Sequence, residues 1–391
     1  MNSRVLHPFQ TTLESVRSHH WRYHADLYPG CDFNCLYCLY QGPYSATKRA
    51  VPDADVVQRI LCELEKSPKG ILDLGAKTDC YQQAEESAKL MPQLLSALAD
   101  AGQPTFIATK SSLILRDLDL LKEMATGGLI EVNFTLITLN EAVRRSLEPG
   151  APSCEERLRA AAYLSDARIP VSFHLSPLIP GLLSEQEIYR LIRAIKSVSG
   201  RHAFCCILGG RRSYWEQLVV ALEGIKDEFC DWSLFRSVYG NKEDFDDITR
   251  AQASNHQCLI ETMVTFMQCC KEIGVGFVCE NIPAFTDIRL DGGIYRWKLP
   301  TVCDMMDYIS ARGGPVGWEE FAKEFLERFK PSSELRGLLA TLWNSRSLFT
   351  NTTLRSESCG EGILYCTGGE LVVGQGGVLA VGGGRPKRDG N

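Results

Sequence analysis

Three cysteines stand close together near the start of the chain, in the segment GCDFNCLYC. Cys31, Cys35 and Cys38 have the spacing C-x3-C-x2-C, and the segment directly follows a predicted strand. Structural zinc takes four protein ligands, so three thiolates on one short loop do not complete a zinc site. Three thiolates can instead hold three irons of a four-iron cluster and leave the fourth iron without a protein ligand. The spacing therefore predicts a redox cluster whose open iron can bind a small molecule and pass it an electron.

The chain after this loop alternates short apolar strands with amphipathic helices. The predicted strands cover residues 71–75, 106–109, 128–137, 169–176, 203–208 and 275–279. The predicted helices cover residues 83–101, 116–124, 155–167, 185–198, 214–225 and 258–273. This alternation indicates a parallel sheet, because parallel strands need long crossover connections. The pattern predicts an α/β fold, a partial (β/α)6 TIM-type barrel over residues 25–285, with its site at the C-terminal strand ends.

Two further regions flank the predicted barrel. Residues 1–24 are polar and are predicted as an N-terminal helical extension; they carry four of the seven histidines, His7, His19, His20 and His24. The alternative is that these imidazoles ligate a metal.

The C-terminal region, residues 286–391, is predicted as a small α+β domain that resembles a winged helix. The predicted elements are helices over 300–313, 318–329 and 332–345 and strands over 347–355 and 362–366. A DNA-reading module would show a basic stripe, and this region has none, so a packing or substrate-lid role is favoured. The last 25 residues are rich in glycine and predict a partly ordered hairpin and a loose tail.

Composition excludes several classes of protein. The chain has 391 residues, of which 45% are hydrophobic and 23% are charged, which is the balance of a protein with a packed core. The net charge of −6 provides no global field that attracts nucleic acid. The N-terminus lacks the apolar run of a secretory signal, and no apolar stretch is long enough to span a membrane. We therefore expect a cytoplasmic protein whose 16 cysteines are reduced, some of them ligating metal.

Five more segments extend the signal of the cysteine loop. They are LGAKTDCYQQAE (74–85), ATKSSLILRDLDLL (108–121), EVNFTLITLN (131–140), SLEPGAPSCEERLRAA (146–161) and VSFHLSPLIPG (171–181). Together with the cysteine spacing and the aromatic Tyr37 before the third cysteine, they resemble the radical S-adenosylmethionine (SAM) superfamily. Within it, the order and spacing look like the branch that contains spore photoproduct lyase. The resemblance covers about residues 25–200.

The resemblance implies a [4Fe–4S] cluster on Cys31, Cys35 and Cys38, and SAM as the cofactor. The SAM contacts that it implies are Tyr37, Gly75, Thr78, Asp79, Lys110, Thr135 and Ser176. The segment 75–79 would meet the methionine amino group, Lys110 would pair with the carboxylate, Thr135 would contact the cofactor, and backbone at Ser176 would hold the adenine. Ordinary structural roles remain the alternatives for Asp79, Lys110 and Thr135. Glu148 could be a surface carboxylate, could bind the ribose or could order its loop.

The implied activity is reductive cleavage of SAM to a 5′-deoxyadenosyl radical that abstracts hydrogen from a substrate. An electron donor of the flavodoxin or ferredoxin type is the expected partner. Spore photoproduct lyase has a hydrogen-donating cysteine after its second strand, whereas this chain has Ala76 there and Cys80 four residues later. We therefore favour a small molecule or peptide as the substrate over nucleic acid.

Three other interpretations remain open. One is repair or modification of nucleic acid, in the manner of spore photoproduct lyase. Another is a non-catalytic iron–sulfur regulator that uses residues 300–391 as a winged helix. The third is an additional cluster built from Cys303, Cys359 and Cys366 or the other late cysteines, or else a role of Cys359 or Cys366 as a redox-active thiol or hydrogen donor.

Overall fold

A computed structural model describes most of the predicted barrel and parts of the C-terminal region. The described residues are 5–8, 21–38, 52–67, 71–208, 212–226, 230–239, 256–281, 287–290, 293–296, 305, 308–309, 311–329, 333–344, 354–359 and 362–367. The predicted hairpin and tail over the last 25 residues lie almost wholly outside them, as does Cys303.

One sheet of eight strands forms the centre of the structure. Its strands are β1 (Leu6–Pro8), β2 (Trp21–Ala25), β3 (Ile71–Leu74), β4 (Thr105–Thr109), β5 (Ile130–Thr135), β6 (Val171–Leu178), β7 (His202–Ile207) and β8 (Gly276–Asn281). The strands lie in chain order, and every neighbouring pair from β2 to β8 is parallel. The predicted α/β fold with a parallel, barrel-type sheet is confirmed.

Helices connect the parallel strands. They are α1 (Val56–Glu65), α2 (Gln83–Ala88), α3 (Leu90–Asp100), α4 (Leu118–Thr126), α5 (Glu141–Leu147), α6 (Cys154–Asp166), α7 (Glu185–Ser197), α8 (Arg212–Glu223), α9 (Trp232–Tyr239) and α10 (His256–Ile273). Capping boxes begin α6 at Ser153 and α7 at Ser184. The helix predicted over 83–101 is two helices, because Lys89 adopts a left-handed conformation between them.

The two faces of the sheet have different chemistry. On the outer face, residues such as Leu72, Val132 and Phe173 pack with the helices in the main core. The opposite face, called the lumen here, has a small apolar cluster of Ile71, Phe106 and Phe204. Alternation places Ala108 beside this cluster and also places six polar residues on the lumen face: Asp73, Glu131, Asn133, Thr135, Ser172 and His174. The side that faces away from the helices is therefore suited to a polar ligand.

The helix predicted over residues 1–24 is wrong where this segment is described. Residues 6–8 and 21–25 form two antiparallel strands at the edge of the sheet, with His7 opposite His24. In β2, Tyr23 and Ala25 are buried and His24 faces the other way, which is the period of a strand. Residues 21–25 form a strand because their pairing with β3 outweighs the local preference for a helix. His19 and His20 lie outside the described residues.

The C-terminal region contains a short hairpin and a small α+β unit. The hairpin pairs β9 (Asp287–Leu290) with β10 (Gly293–Arg296). The α+β unit consists of β11 (Val316–Gly317), α11 (Trp318–Glu324), α12 (Ser333–Asn344), β12 (Leu354–Cys359) and β13 (Gly362–Thr367). Its sheet has the order β11–β13–β12, and Trp318, Phe321, Trp343 and Tyr365 pack their rings together beside it. The winged-helix assignment and the domain boundaries stay predictions.

Among the described residues, no helix combines the length and the apolar character that crossing a membrane would require.

Candidate active site

The three cysteines lie on the loop that leaves β2 at the C-terminal edge of the parallel sheet. Cys35 is buried, and Cys31 and Cys38 are partly buried. Burial raises the pKa of Cys31 to about 11. Burial also raises the pKa of Cys35, and the nearby Cys31 and Cys38 add to the effect. The three sulfurs are therefore close enough to interact, and binding of a metal must displace their protons.

Backbone amides stabilise negative charge on the Cys31 sulfur. The amides of Asp79 and Phe33 both donate hydrogen bonds to it. Asp79 belongs to the loop after β3, so this contact joins two strand ends at the first cysteine. Amide hydrogen bonds to a cluster's sulfurs are among the features that set its reduction potential.

Gln82 fixes the backbone on both sides of Cys31. Its amide nitrogen donates to the Gly30 carbonyl at 2.9 Å, and its amide oxygen accepts from the Asp32 amide at 2.8 Å. The Gln82 side chain is fully buried, so these bonds form without competition from water. This residue was not among the predicted site residues, although it lies within the segment 74–85 that carries the resemblance.

Asp79 and Thr78 join the loop after β3 to the neighbouring loops. The Asp79 carboxylate accepts hydrogen bonds from the Thr109 hydroxyl at 2.8 Å and from the Lys110 amide at 2.7 Å. The Thr78 hydroxyl donates to the Tyr28 carbonyl at 2.9 Å. Both side chains thus have structural partners within the site. Their predicted contact with the methionine amino group stays a prediction.

Gly75 is required where the end of β3 meets β4. Its φ is +93°, and a Cβ atom at this position would overlap the Ala108 carbonyl oxygen. Glycine alone combines this left-handed backbone with so close an approach. The structure therefore gives Gly75 a packing role, and its predicted contact with the cofactor stays a prediction.

Lys110 lies beside the cysteine loop at the end of β4. Its ammonium nitrogen is 5.9 Å from the centroid of the Tyr37 ring. Burial disfavours the charged form, but nearby Cys35 and Glu148 outweigh this effect and raise the pKa of Lys110. The site therefore contains a cation next to the cysteines, as the pairing with a carboxylate requires.

Glu148 is the buried partner of the cysteine loop. The Tyr37 hydroxyl donates to its carboxylate, and Arg157 donates to the same group at 2.5 Å. Glu148 and Arg157 are both fully buried. Burial and the Glu148 carboxylate raise the pKa of Tyr37 well above its usual value, so Tyr37 keeps its proton and remains the donor. Of the three roles considered for Glu148, the surface role is wrong and the ordering of the loop is observed.

Backbone contacts dock the cysteine loop against the turn that contains Glu148. The Leu36 amide donates to the Leu147 carbonyl at 2.8 Å, and the Gly150 amide donates to the Phe33 carbonyl at 3.0 Å. A Cβ atom on Gly150 would lie 2.5 Å from the Asp32 carbonyl oxygen. The turn therefore needs a residue without a side chain at this position.

Replacement of Gly150 by alanine is expected to push the turn away from the cysteine loop. The atoms that a new Cβ would overlap belong to the backbone of Asp32 and Phe33, which can move only if the loop shifts. We therefore expect a loss of about 1–3 kcal/mol in the free energy of unfolding. We also expect less iron per chain after reconstitution, measured by colorimetric iron analysis. Gly314→Ala is the control for a glycine substitution, since a Cβ there has open space and the backbone is not left-handed. Full iron retention in Gly150→Ala would contradict this account.

The remaining predicted site residues lie further along the same edge. Thr135 ends β5, and its carbonyl accepts a hydrogen bond from Arg157 at 3.0 Å. Ser176 lies on β6 and is partly exposed. Cys80 is only 1% exposed and packs in the main core, which argues against a role as hydrogen donor to a substrate. Cys205 is likewise buried in that core.

Comparison with known proteins finds a family match over part of the chain. Residues 26–192 match the family model described as Radical SAM superfamily. Over these residues, which make up less than half of the chain, the protein is similar to that superfamily. Its fold is similar to that of a spore photoproduct lyase mutant solved with bound AdoMet and dinucleoside spore photoproduct. The TM-score is 0.51 and the identity 14%, over 70% of this chain and 80% of that chain.

Relatives by sequence match less than half of the chain. Uncharacterized proteins of Mycobacterium tuberculosis and Methanocaldococcus jannaschii are each 29% identical over 178 residues, 43% of this chain and 52% and 64% of theirs. A radical SAM Nalpha-GlyT isomerase of Pseudomonas phage M6 is 24% identical over 178 residues, 44% of this chain and 36% of the isomerase. The chain thus spans about half the length of the mycobacterial relative that it matches.

The donor set fits the cofactors that this superfamily uses. Within the described part of the chain, no three His, Cys, Asp or Glu side chains converge on the site of a single metal ion. Thiolates that each bind a different iron of one cluster need not converge in that way, whereas the ligands of one zinc ion must. The buried amides at Cys31 suit a thiolate ligand, and the Lys110 ammonium suits the carboxylate of SAM.

Proposed function

We propose that the protein is a radical SAM enzyme that acts on a small molecule or peptide. The observation that carries the proposal is the convergence of Cys31, Cys35 and Cys38 with the cation of Lys110 at one end of a parallel sheet. A site at that end is where barrels of this kind perform their chemistry.

The residues of the chain have separable tasks in this proposal. When bound, a [4Fe–4S] cluster and SAM supply a one-electron reduction and a 5′-deoxyadenosyl radical that abstracts hydrogen from the substrate. Cys31, Cys35 and Cys38 hold the cluster, and Lys110 orients SAM by its carboxylate. The buried residues around the loop keep water from the thiolates, and the polar lumen face receives the substrate. A donor of the flavodoxin or ferredoxin type delivers the electron.

The test is cleavage of SAM by protein that was purified and reconstituted without oxygen. We expect about four irons per chain and dithionite-dependent formation of 5′-deoxyadenosine. Cys35→Ala is expected to abolish product formation and to lower the iron content, because the cluster loses one of three protein ligands. Cys205→Ala, which replaces a cysteine in the outer core, is the control for loss of a buried thiol. Zinc in place of iron in anaerobic preparations would contradict the proposal.

Repair or modification of nucleic acid is the second candidate, and the fold shared with spore photoproduct lyase favours it. Two observations count against it. Ala76 stands where that family has its hydrogen-donating cysteine, and Cys80 is buried in the outer core. A DNA-binding titration at several salt concentrations separates the candidates, since phosphate contacts give a steep dependence of affinity on salt. The same titration tests the non-catalytic regulator with a winged helix.

A further inference from the structure

Two matching trios of side chains hold the cysteine loop, one at each end. At the start of the loop, the Tyr28 hydroxyl and Arg116 both donate to the Glu85 carboxylate, Arg116 at 2.6 Å. At its end, Tyr37 and Arg157 donate to Glu148 in the same arrangement. We call these the Glu85 trio and the Glu148 trio. Both carboxylates are fully buried.

The Glu85 trio is a structural anchor. Besides Tyr28 and Arg116, the Glu85 carboxylate accepts hydrogen bonds from the amides of Leu90 and Met91, both at 3.0 Å, at the start of α3. Arg116 also donates to Asp117 at 2.8 Å. The charge of Glu85 is therefore shared with the start of α3, and that of Arg116 with a second carboxylate.

The Glu148 trio lies instead among the charged groups of the site. Glu148 interacts electrostatically with Lys110 and with Cys35, and Arg157 interacts with Lys110 in the opposite sense. Arg157 is held firmly, because it also donates to the carbonyls of Thr135 at 3.0 Å and Pro152 at 2.8 Å. These bonds hold the positive Arg157 guanidinium beside the negative Glu148 carboxylate.

The pairing of Glu148 with Arg157 affects how readily Lys110 can bind another carboxylate. Without Arg157, the buried Glu148 carboxylate would attract the nearby Lys110 ammonium and compete with the carboxylate of a bound ligand. Arg157 pairs with Glu148 and offsets part of its attraction for Lys110, so the Lys110 ammonium is left more available to a second carboxylate. Tyr37 completes the arrangement, because its hydroxyl bonds the second oxygen of Glu148 while its ring lies beneath the Lys110 ammonium.

We propose that Arg157 is a positioning residue that neutralises Glu148 and so frees Lys110 to bind the carboxylate of an amino-acid cofactor. The inference rests on the proposed function, in which that cofactor is SAM. In this inference the pair of Glu148 and Arg157 affects the affinity for the cofactor through Lys110. This effect is separate from the ordering of the cysteine loop.

The test compares the affinity of cluster-loaded variants for SAM, measured by equilibrium dialysis and by the change that SAM causes in the EPR spectrum of the reduced cluster. Arg157→Met leaves Glu148 to pair with Lys110, and we expect the affinity to fall about tenfold or more. Arg157→Met/Glu148→Gln removes both charges, and we expect the affinity to return to within about threefold of the original protein. Arg116→Met is the control at the Glu85 trio, in which Glu85 is fully buried and Arg116 is partly buried; we expect it to lower the melting temperature and to leave the affinity within about threefold.

Arg157→Lys keeps the inference testable if Arg157→Met does not fold. It retains the charge but loses the planar fork, so we expect a lower melting temperature with an affinity close to that of the original protein. A purely structural role predicts that affinity falls with melting temperature in every variant. Equal loss of affinity in the single and double variants, or in Arg116→Met, overturns the inference.

The proposed function and this inference fail in different ways. If the original protein holds a cluster but neither binds nor cleaves SAM, the proposed function is wrong and the inference falls with it. If the original protein binds SAM but the double variant does not recover, the proposed function stands and the inference alone is wrong.

Discussion

Replacement of Arg157 by methionine is expected to lower the free energy of unfolding by about 3–5 kcal/mol. The side chain is fully buried and forms an ion pair with Glu148, which is fully buried as well. Removal of one partner leaves an uncompensated charge in the interior, and it also leaves the carbonyls of Thr135 and Pro152 without their donors. Urea denaturation followed by circular dichroism under anaerobic conditions measures the loss.

A second substitution separates the charge from the packing. Arg157→Met/Glu148→Gln contains no unpaired ion, so we expect it to recover a large part of the lost stability. Arg312→Met is the control for an exposed ion pair, because Arg312 pairs with Glu320 at the surface. Its effect is expected to stay within about 1 kcal/mol. A double variant no more stable than Arg157→Met would show that packing and carbonyl contacts, rather than charge, determine the loss.

The cysteine loop and the barrel could be predicted from the sequence because their signals are local. Cys31, Cys35 and Cys38 lie within eight residues, so their spacing is visible without knowledge of the fold. The apolar runs of the buried strands are equally local, and the structure places β3 at Ile71–Leu74 within the predicted 71–75. The C-terminal strand ends follow from the parallel topology, which predicts where Lys110 and Thr135 lie.

The side-chain contacts that hold the cysteine loop could not be predicted, because the residues that form each contact are distant in sequence. Tyr37 and Glu148 are 111 positions apart, and Gln82 is 50 positions from Asp32. A buried glutamate and a surface glutamate look alike in a sequence, so the sequence alone does not decide between the possible roles of Glu148. The strand conformation of residues 6–8 and 21–24, where the sequence predicts helix, has a related cause, since pairing at the sheet edge rather than local preference gives β1 and β2 their conformation.

The polar lumen does have a local signal, which lies in β5. In the segment EVNFT, polar Glu131 and Asn133 alternate with apolar Val132 and Phe134, which is the pattern of a strand with one polar face. Strands of a parallel barrel that are buried on both faces are usually apolar throughout. The alternation in β5 is therefore a feature of the sequence that indicates a polar interior.

Glu131 is expected to make the stability of the protein fall as pH rises towards neutrality. Its side chain is 2% exposed on the lumen face, and it bonds the Ser172 hydroxyl, which also accepts from the Asn133 amide at 2.9 Å. Burial raises its pKa from 4.5 to about 7, against the lowering effects of Ser172 and Arg201. The folded protein thus binds the proton more tightly than the unfolded chain, and stability is lost as pH rises from about 4.5 to about 7.

Glu131→Gln removes this dependence because glutamine resembles the protonated acid in shape and hydrogen bonding. From the shift, the variant should gain about 2–3 kcal/mol more relative to the original protein at pH 8 than at pH 5. Urea denaturation at both pH values measures the difference. Glu155→Gln, a change at an exposed position on α6, is the matched control and should show no such difference. If the effect of Glu131→Gln is the same at both pH values, Glu131 is ionised throughout this range, and the lumen then holds a permanent negative charge that favours a cationic group on the substrate.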